Sequence, residues 1–161
     1  MKKHQLLCVL KDKFAGRTLW GVLAATVFVS LVSAVGALAT AQTQLVSVNR
    51  FGTNGGNSYS EAPVISADGR FVAFYSTAGD LVSNDPNSTF DVFRRDLQTG
   101  TTLLVSVNPT GTTSGNGYVY GVDSVAINAD GRFVAFEGIA SDLAGNDTNG
   151  KRDIFVRDLQ A

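Results

Sequence analysis

The sequence predicts an all-β repeat protein, and three observations carry that expectation. First, Ser66-Ala67-Asp68-Gly69-Arg70-Phe71-Val72-Ala73-Phe74 returns 62 residues later as Asn128-Ala129-Asp130-Gly131-Arg132-Phe133-Val134-Ala135-Phe136. Second, Asp-Gly in each copy stands between apolar runs, which is a hairpin signal. Glycine takes the positive φ of the turn, and aspartate bonds back to the local backbone. Third, Val, Phe, Ile and Thr dominate the runs after residue 41, and no helical stripe of useful length interrupts them.

Taken in order, the first copy predicts strands at about 62–66, 70–76, 90–97 and 101–108. Asp68-Gly69 links the first pair and Gln98-Thr99-Gly100 the last. Arg70-Phe71-Val72-Ala73-Phe74 is apolar on both faces, so burial on both is expected of it and of its repeat. Leu45-Val46-Ser47-Val48-Asn49 returns 59 residues on as Leu104-Val105-Ser106-Val107-Asn108, whereas the stretch from Asp91 to Gln98 returns 62 on, as 153–160. Three residues are therefore inserted, in the loop expected between Asn108 and Val125.

The repeats run about 45–107 and 108–161, and residues 45–49 match the fourth strand of a unit whose first three strands are missing. Internal repeats of this length, each of four antiparallel strands, indicate propeller blades. The chain holds about two blades' worth, offset by one strand. A ring needs about 4–8 blades, so an apolar face and an unpaired edge are left without cover.

Residues 1–41 read as an export segment. Lys2, Lys3, Lys11, Lys13 and Arg17 lead into an uncharged run from 19 to 41, which ends Ala37-Leu38-Ala39-Thr40-Ala41. That pattern predicts a signal-peptide helix cleaved after Ala41. The alternative is a retained signal anchor, because the run is about long enough for a ~30 Å bilayer. Contact with a membrane is expected only through an uncleaved signal. Residues 42–161 carry eight basic against thirteen acidic side chains, a balance that excludes nucleic acid as a partner.

The only histidine is His4 and the only cysteine Cys8, both in the export segment. The remainder cannot build a Ser-His-Asp or Cys-His nucleophile, or a His/Cys zinc site. Catalysis is not expected. Two constellations remain. Asp85-x-Asn87-x-x-x-Asp91 and Asp147-x-Asn149-x-x-x-Asp153 place oxygen ligands closely on long connections, which suits calcium. Asp80 and Asp142 offer a further carboxylate. The competing reading is turn chemistry, with Asp and Asn bonding to backbone N–H groups. Tyr59, Tyr118 and Tyr120 are expected on Gly/Asn/Ser-rich loops, either to grip a sugar or peptide or to staple the loop to its blade. Arg70 and Arg132 are expected to pair with Asp96 and Asp158.

The pattern Pro63-x-x-Ser66-x-Asp68-Gly69-Arg70-Phe71-Val72-Ala73-Phe74, followed by Asp91-Val92-Phe93-x-x-Asp96-Leu97, resembles the WD40-like β-propeller repeat of TolB-type proteins. The resemblance covers nearly all of 44–161. It implies a propeller fold, bacterial export and binding work in the periplasm or outside the cell, with no single activity. Family members have several blades, and this chain has about two. It is then a fragment of a longer propeller, a homo-oligomer such as a trimer that closes six blades by lending its 45–49 strand, or a unit stabilised by another protein. The function expected is a non-catalytic protein- or ligand-binding module. The alternatives are the propeller part of a multi-domain peptidase or hydrolase whose catalytic domain is absent from this chain, and a structural spacer.

Overall fold

Both Asp-Gly turns form as the sequence predicts. Gly69 and Gly131 each sit at φ 72°, and Asp68 and Asp130 accept the N–H of Arg70 and Arg132 at 3.0 and 3.1 Å. The computed structural model describes residues 41–120 and 125–160, with the backbone alone at Tyr120. Apart from Ala41, the expected export segment lies outside the described residues. No helix among the described residues is long and apolar enough to cross a membrane.

The described chain is all-β. Strands β1 (Ser60–Ile65), β2 (Phe71–Ser76), β3 (Asp91–Asp96) and β4 (Thr101–Leu104) form one antiparallel sheet in the order β1-β2-β3-β4. The second sheet holds β5 (Val119–Tyr120), β6 (Ala126–Ile127), β7 (Phe133–Gly138) and β8 (Asp153–Asp158). There β8 takes one edge of β7 along its whole length, so β5 and β6 share the other edge end to end.

Two expectations are corrected. Residues 45–49 form no strand, and β4 stops at Leu104. Both segments instead close local loops through isolated bridges, Val48 to Gly55 and Val107 to Ser114. The backbone of 45–49 finds partners at hand, with Asn49 N–H to Asn54 O at 2.9 Å and Gly56 N–H to Ser47 O at 2.8 Å. It joins neither sheet. The three-residue insertion lies between Tyr120 and Ala126, at the end of the span where the sequence places it. In the first sheet a bulge places residues 62 and 63 between the paired residues Glu61 and Val64. The second sheet has 121–125 between Tyr120 and Ala126. The extra residues thus belong, in sequence, between the two paired stretches of that edge, at the position of the first sheet's bulge. Ala62 marks that point in the first sheet with a φ of 50°.

The sheets stack, and the two faces of each are not equivalent. Ala73, Tyr75, Val92 and Val105 of the first repeat pack against Val119, Val134, Phe136 and Leu143 of the second in one core. On the opposite face of the first sheet, Val72, Phe74, Phe93 and Leu104 pack under Leu81 and Val82. Every residue of β2 is accordingly buried, as its double apolar face predicts. The corresponding expectation fails for β7, which is buried on alternate residues only. Polar bonds cross between the sheets as well. Arg94 Nη1 donates to Gly131 O at 2.7 Å, and Arg157 donates to the carbonyls of Val105 and Val107. Gly131 is held tightly, since a Cβ there would run into the Phe71 ring.

Candidate metal and ligand site at the loop rim

The ends of β2 and β7 and the starts of β1, β3, β5 and β8 gather at one rim. Loop 77–90 joins β2 to β3 there and carries Asp85 and Asn87, with Asp91 opening β3. Asp85 is 4% exposed and Asp91 fully buried. Neither carboxylate oxygen of Asp85 has a hydrogen-bond partner, nor has Asp91 Oδ2. Asp91 Oδ1 accepts from Ser106 Oγ at 2.5 Å, and Val92 N–H donates to the same serine at 3.0 Å. Burial pushes the Asp91 carboxyl up to about 7, and the negative charge of Asp85 pushes the same way. Burial also raises Asp85. The Asn87 N–H and the Ser114 hydroxyl approach it and pull downwards, short of hydrogen-bond geometry and without offsetting burial.

Asn87 does something other than present its oxygen. Its Oδ1 accepts the N–H and hydroxyl of Thr89, both at 2.8 Å, and its Nδ2 donates to Ser114 Oγ at 2.7 Å. The turn reading therefore describes Asn87, whereas Asp85 makes no such bond and Asp91 accepts only from Ser106. Asp80 and Asp142 stand outside the cluster, because their Oδ1 atoms accept the N–H of Asn57 and Asn116 at 2.9 and 2.8 Å.

The second copy repeats the pattern with a difference. Both oxygens of Asp147 are again buried without a partner. Asp153 Oδ2, however, accepts from Asn149 Nδ2 at 2.9 Å, while Asn149 Oδ1 takes the Lys151 N–H at 2.5 Å. Among the described residues no three His, Cys, Asp or Glu side chains converge on one point.

The tyrosines flank this rim. Tyr59 immediately precedes β1, is 80% exposed, and with Asp85 and Asn87 lines a cleft of about 600 Å³. Tyr118 precedes β5 and lines a cleft of about 460 Å³ shared with Asn87 and Asn116. Tyr120 is not on a loop but in β5, opposite Glu137; its side chain lies outside the described residues. Ser106 and Ser114, both buried, are the site residues that sequence reading passed over. A signal existed for Ser106, since Leu-Val-Ser-Val occurs in both repeats.

At the opposite end the expected ion pairs form. Arg70 and Asp96 meet at 2.6 Å, as do Arg132 and Asp158. Hydrogen bonds from Arg70 hold the Asp96 carboxyl far below the usual carboxylate range. Arg132 and the Gln160 N–H lower Asp158 to about 2.

Comparison with known proteins returns no matching family model and no matching curated protein.

Proposed function

We propose that this chain is a non-catalytic, exported interaction module of the propeller-repeat kind. Its second sheet offers an open face to another sheet of the same repeat, carried by a second copy. One observation carries this reading. Val92 of β3 is fully buried by the second sheet, whereas Ile154, the same position in β8, is 71% exposed. Val156 and Phe133 lie exposed on the same face. Exposed apolar side chains gathered on one sheet face, here rimmed by the Glu137–Arg152 pair and Asp158, mark a place where something docks.

The choice of occupant follows from the packing inside the chain. The Ala73/Tyr75 face of the first sheet is covered by the Val134/Phe136 face of the second. A face built on the same repeat positions invites the same cover. At the far side of the first sheet a groove of about 650 Å³, lined by Leu81, Leu104, Val107 and the exposed Phe51, is placed to receive it. Such contact is head-to-tail, which closes into a ring when the rotation per step permits. The TolB-type repeat pattern and the signal-like 1–41 segment support a propeller and export. A second reading, a ligand or peptide held at the rim, is favoured by the exposed Tyr59 beside its cleft.

The test is sedimentation of the full chain over a range of concentrations, beside the double variant Ile154→Asp/Val156→Asp. The expected result is self-association in the parent and its loss in the variant. A parent that stays monomeric, or association untouched by the two aspartates, contradicts the proposal.

A further inference from the structure

We propose that the loop between β2 and β3 binds one divalent cation of the calcium class, with the Asp85 carboxylate and Asp91 Oδ2 as its acid ligands. The argument begins from cost. A buried carboxylate oxygen without a donor loses its hydration and regains nothing, so buried acids are nearly always paired, hydrogen-bonded or bound to metal. Here three such oxygens, two on Asp85 and one on Asp91, lie buried and without partners. The two acids are near enough for the charge of Asp85 to act on Asp91. No arginine or lysine is paired with either among the described ion pairs. A cation between them removes both penalties together.

The class of cation follows from the donors. The atoms there that can ligate are oxygens, two carboxylates and the hydroxyls of Ser106 and Ser114, while the nitrogens of Asn87 only donate; there is no histidine or cysteine beyond Cys8 in the sequence. Hard cations take such ligands, and calcium accepts irregular sets of 6–8 oxygens filled out with water. Asp85 also lines the 600 Å³ cleft beside Tyr59, the side nearest to solvent for an entering ion.

The position of the site gives the cation a task. Ser106 follows β4, and Ser114 lies on the segment that leads to the second sheet, where its N–H donates to Asn84 O at 3.1 Å. A cation at Asp85 and Asp91 therefore fastens the long loop of one repeat to the start of the next. The second repeat is not an equal site, since Asn149 already occupies Asp153 Oδ2. The stoichiometry expected is one ion per chain.

The full chain, stripped with EGTA, is titrated with calcium chloride by calorimetry, and its thermal midpoint is followed with and without calcium. Asp85→Asn, Asp91→Asn and Asp147→Asn are measured beside it. The expected result is one ion per chain with a Kd of about 10⁻⁴–10⁻³ M, the range of extracellular modules. The midpoint rises, binding weakens at least about tenfold in Asp85→Asn and Asp91→Asn as ligand charge is lost, and Asp147→Asn binds like the parent. Absence of heat and of a midpoint shift in the parent overturns the proposal, whatever the variants do. So does unchanged affinity in Asp85→Asn, and two ions per chain would overturn the assignment to the first repeat alone.

Discussion

The two sheets are near copies in sequence, yet they live in different surroundings. In the first, both faces are buried over β2 and β3, one beneath its own loops, which leave the groove beside Leu104, and the other beneath the second sheet. In the second, one face is covered and the other is open. Phe71 is 8% exposed and its counterpart Phe133 38%. The ring pairs inside each sheet match closely, Phe74–Phe93 at 5.8 Å and Phe136–Phe155 at 5.7 Å. Local sequence therefore fixes the sheet, and what a residue contributes depends on whether another sheet covers it.

That difference can be broken from the inside first. Phe93→Ala should cost about 3–5 kcal/mol, the usual loss for a buried phenylalanine. Phe155→Ala, partly exposed in β8, should cost about half as much. Urea unfolding of the two variants measures both. Equal losses would mean that β8 is as well covered as β3.

The paired turns give the next contrast. Both glycines stand in the left-handed region, but only Gly131 faces a ring of the other sheet. Gly69→Ala should cost about 1–2 kcal/mol from backbone strain alone. Gly131→Ala should lose roughly 1–3 kcal/mol more, because Phe71 must move. Thermal midpoints of the two variants check the gap.

A smaller contrast lies on the faces themselves. Val92→Ala removes two buried methyl groups and should cost about 2 kcal/mol. In dilute solution Ile154→Ala should stay within about 0.5 kcal/mol of the parent, as exposed substitutions do.

The smallest effect is the response to acid. Asp96 and Asp158 have folded pKa values below the unfolded value of about 3.9. Their contribution is therefore present above about pH 4 and fades as pH falls through the folded values. Asp96 is lowered further than Asp158, so Asp96→Asn should remove more of the acid sensitivity than Asp158→Asn. Denaturant midpoints measured from neutral pH down into acid test the order.

Much of this was legible in the residues. The Asp-Gly turns, the doubly buried β2, the meander of the first sheet and both arginine–aspartate pairs follow from local pattern and repeat spacing. What was not legible depends on partners distant in the chain. Residues 45–49 have the composition of a strand, but a strand needs a neighbour, and local turns took their hydrogen bonds instead. Tyr120 looked like a loop residue because the insertion beside it hides the register of β5. At the rim, the Asp-x-Asn spacing singled out Asp85 and Asp91, both of which prove to be buried, while the role of Asn87 was set by Ser114 and Thr89. The open face of β8 could not be read at all from β8, which carries one more apolar residue than β3, Val156 standing where β3 has Arg94.

The most direct measurement is amide hydrogen exchange of β3 and β8, followed on the full chain as its concentration is raised. Head-to-tail docking predicts that Asp91–Asp96 is protected throughout, and that Asp153–Asp158 gains protection as copies associate. Protection of β8 that equals that of β3 at the lowest concentration, or that never changes with concentration, would contradict it.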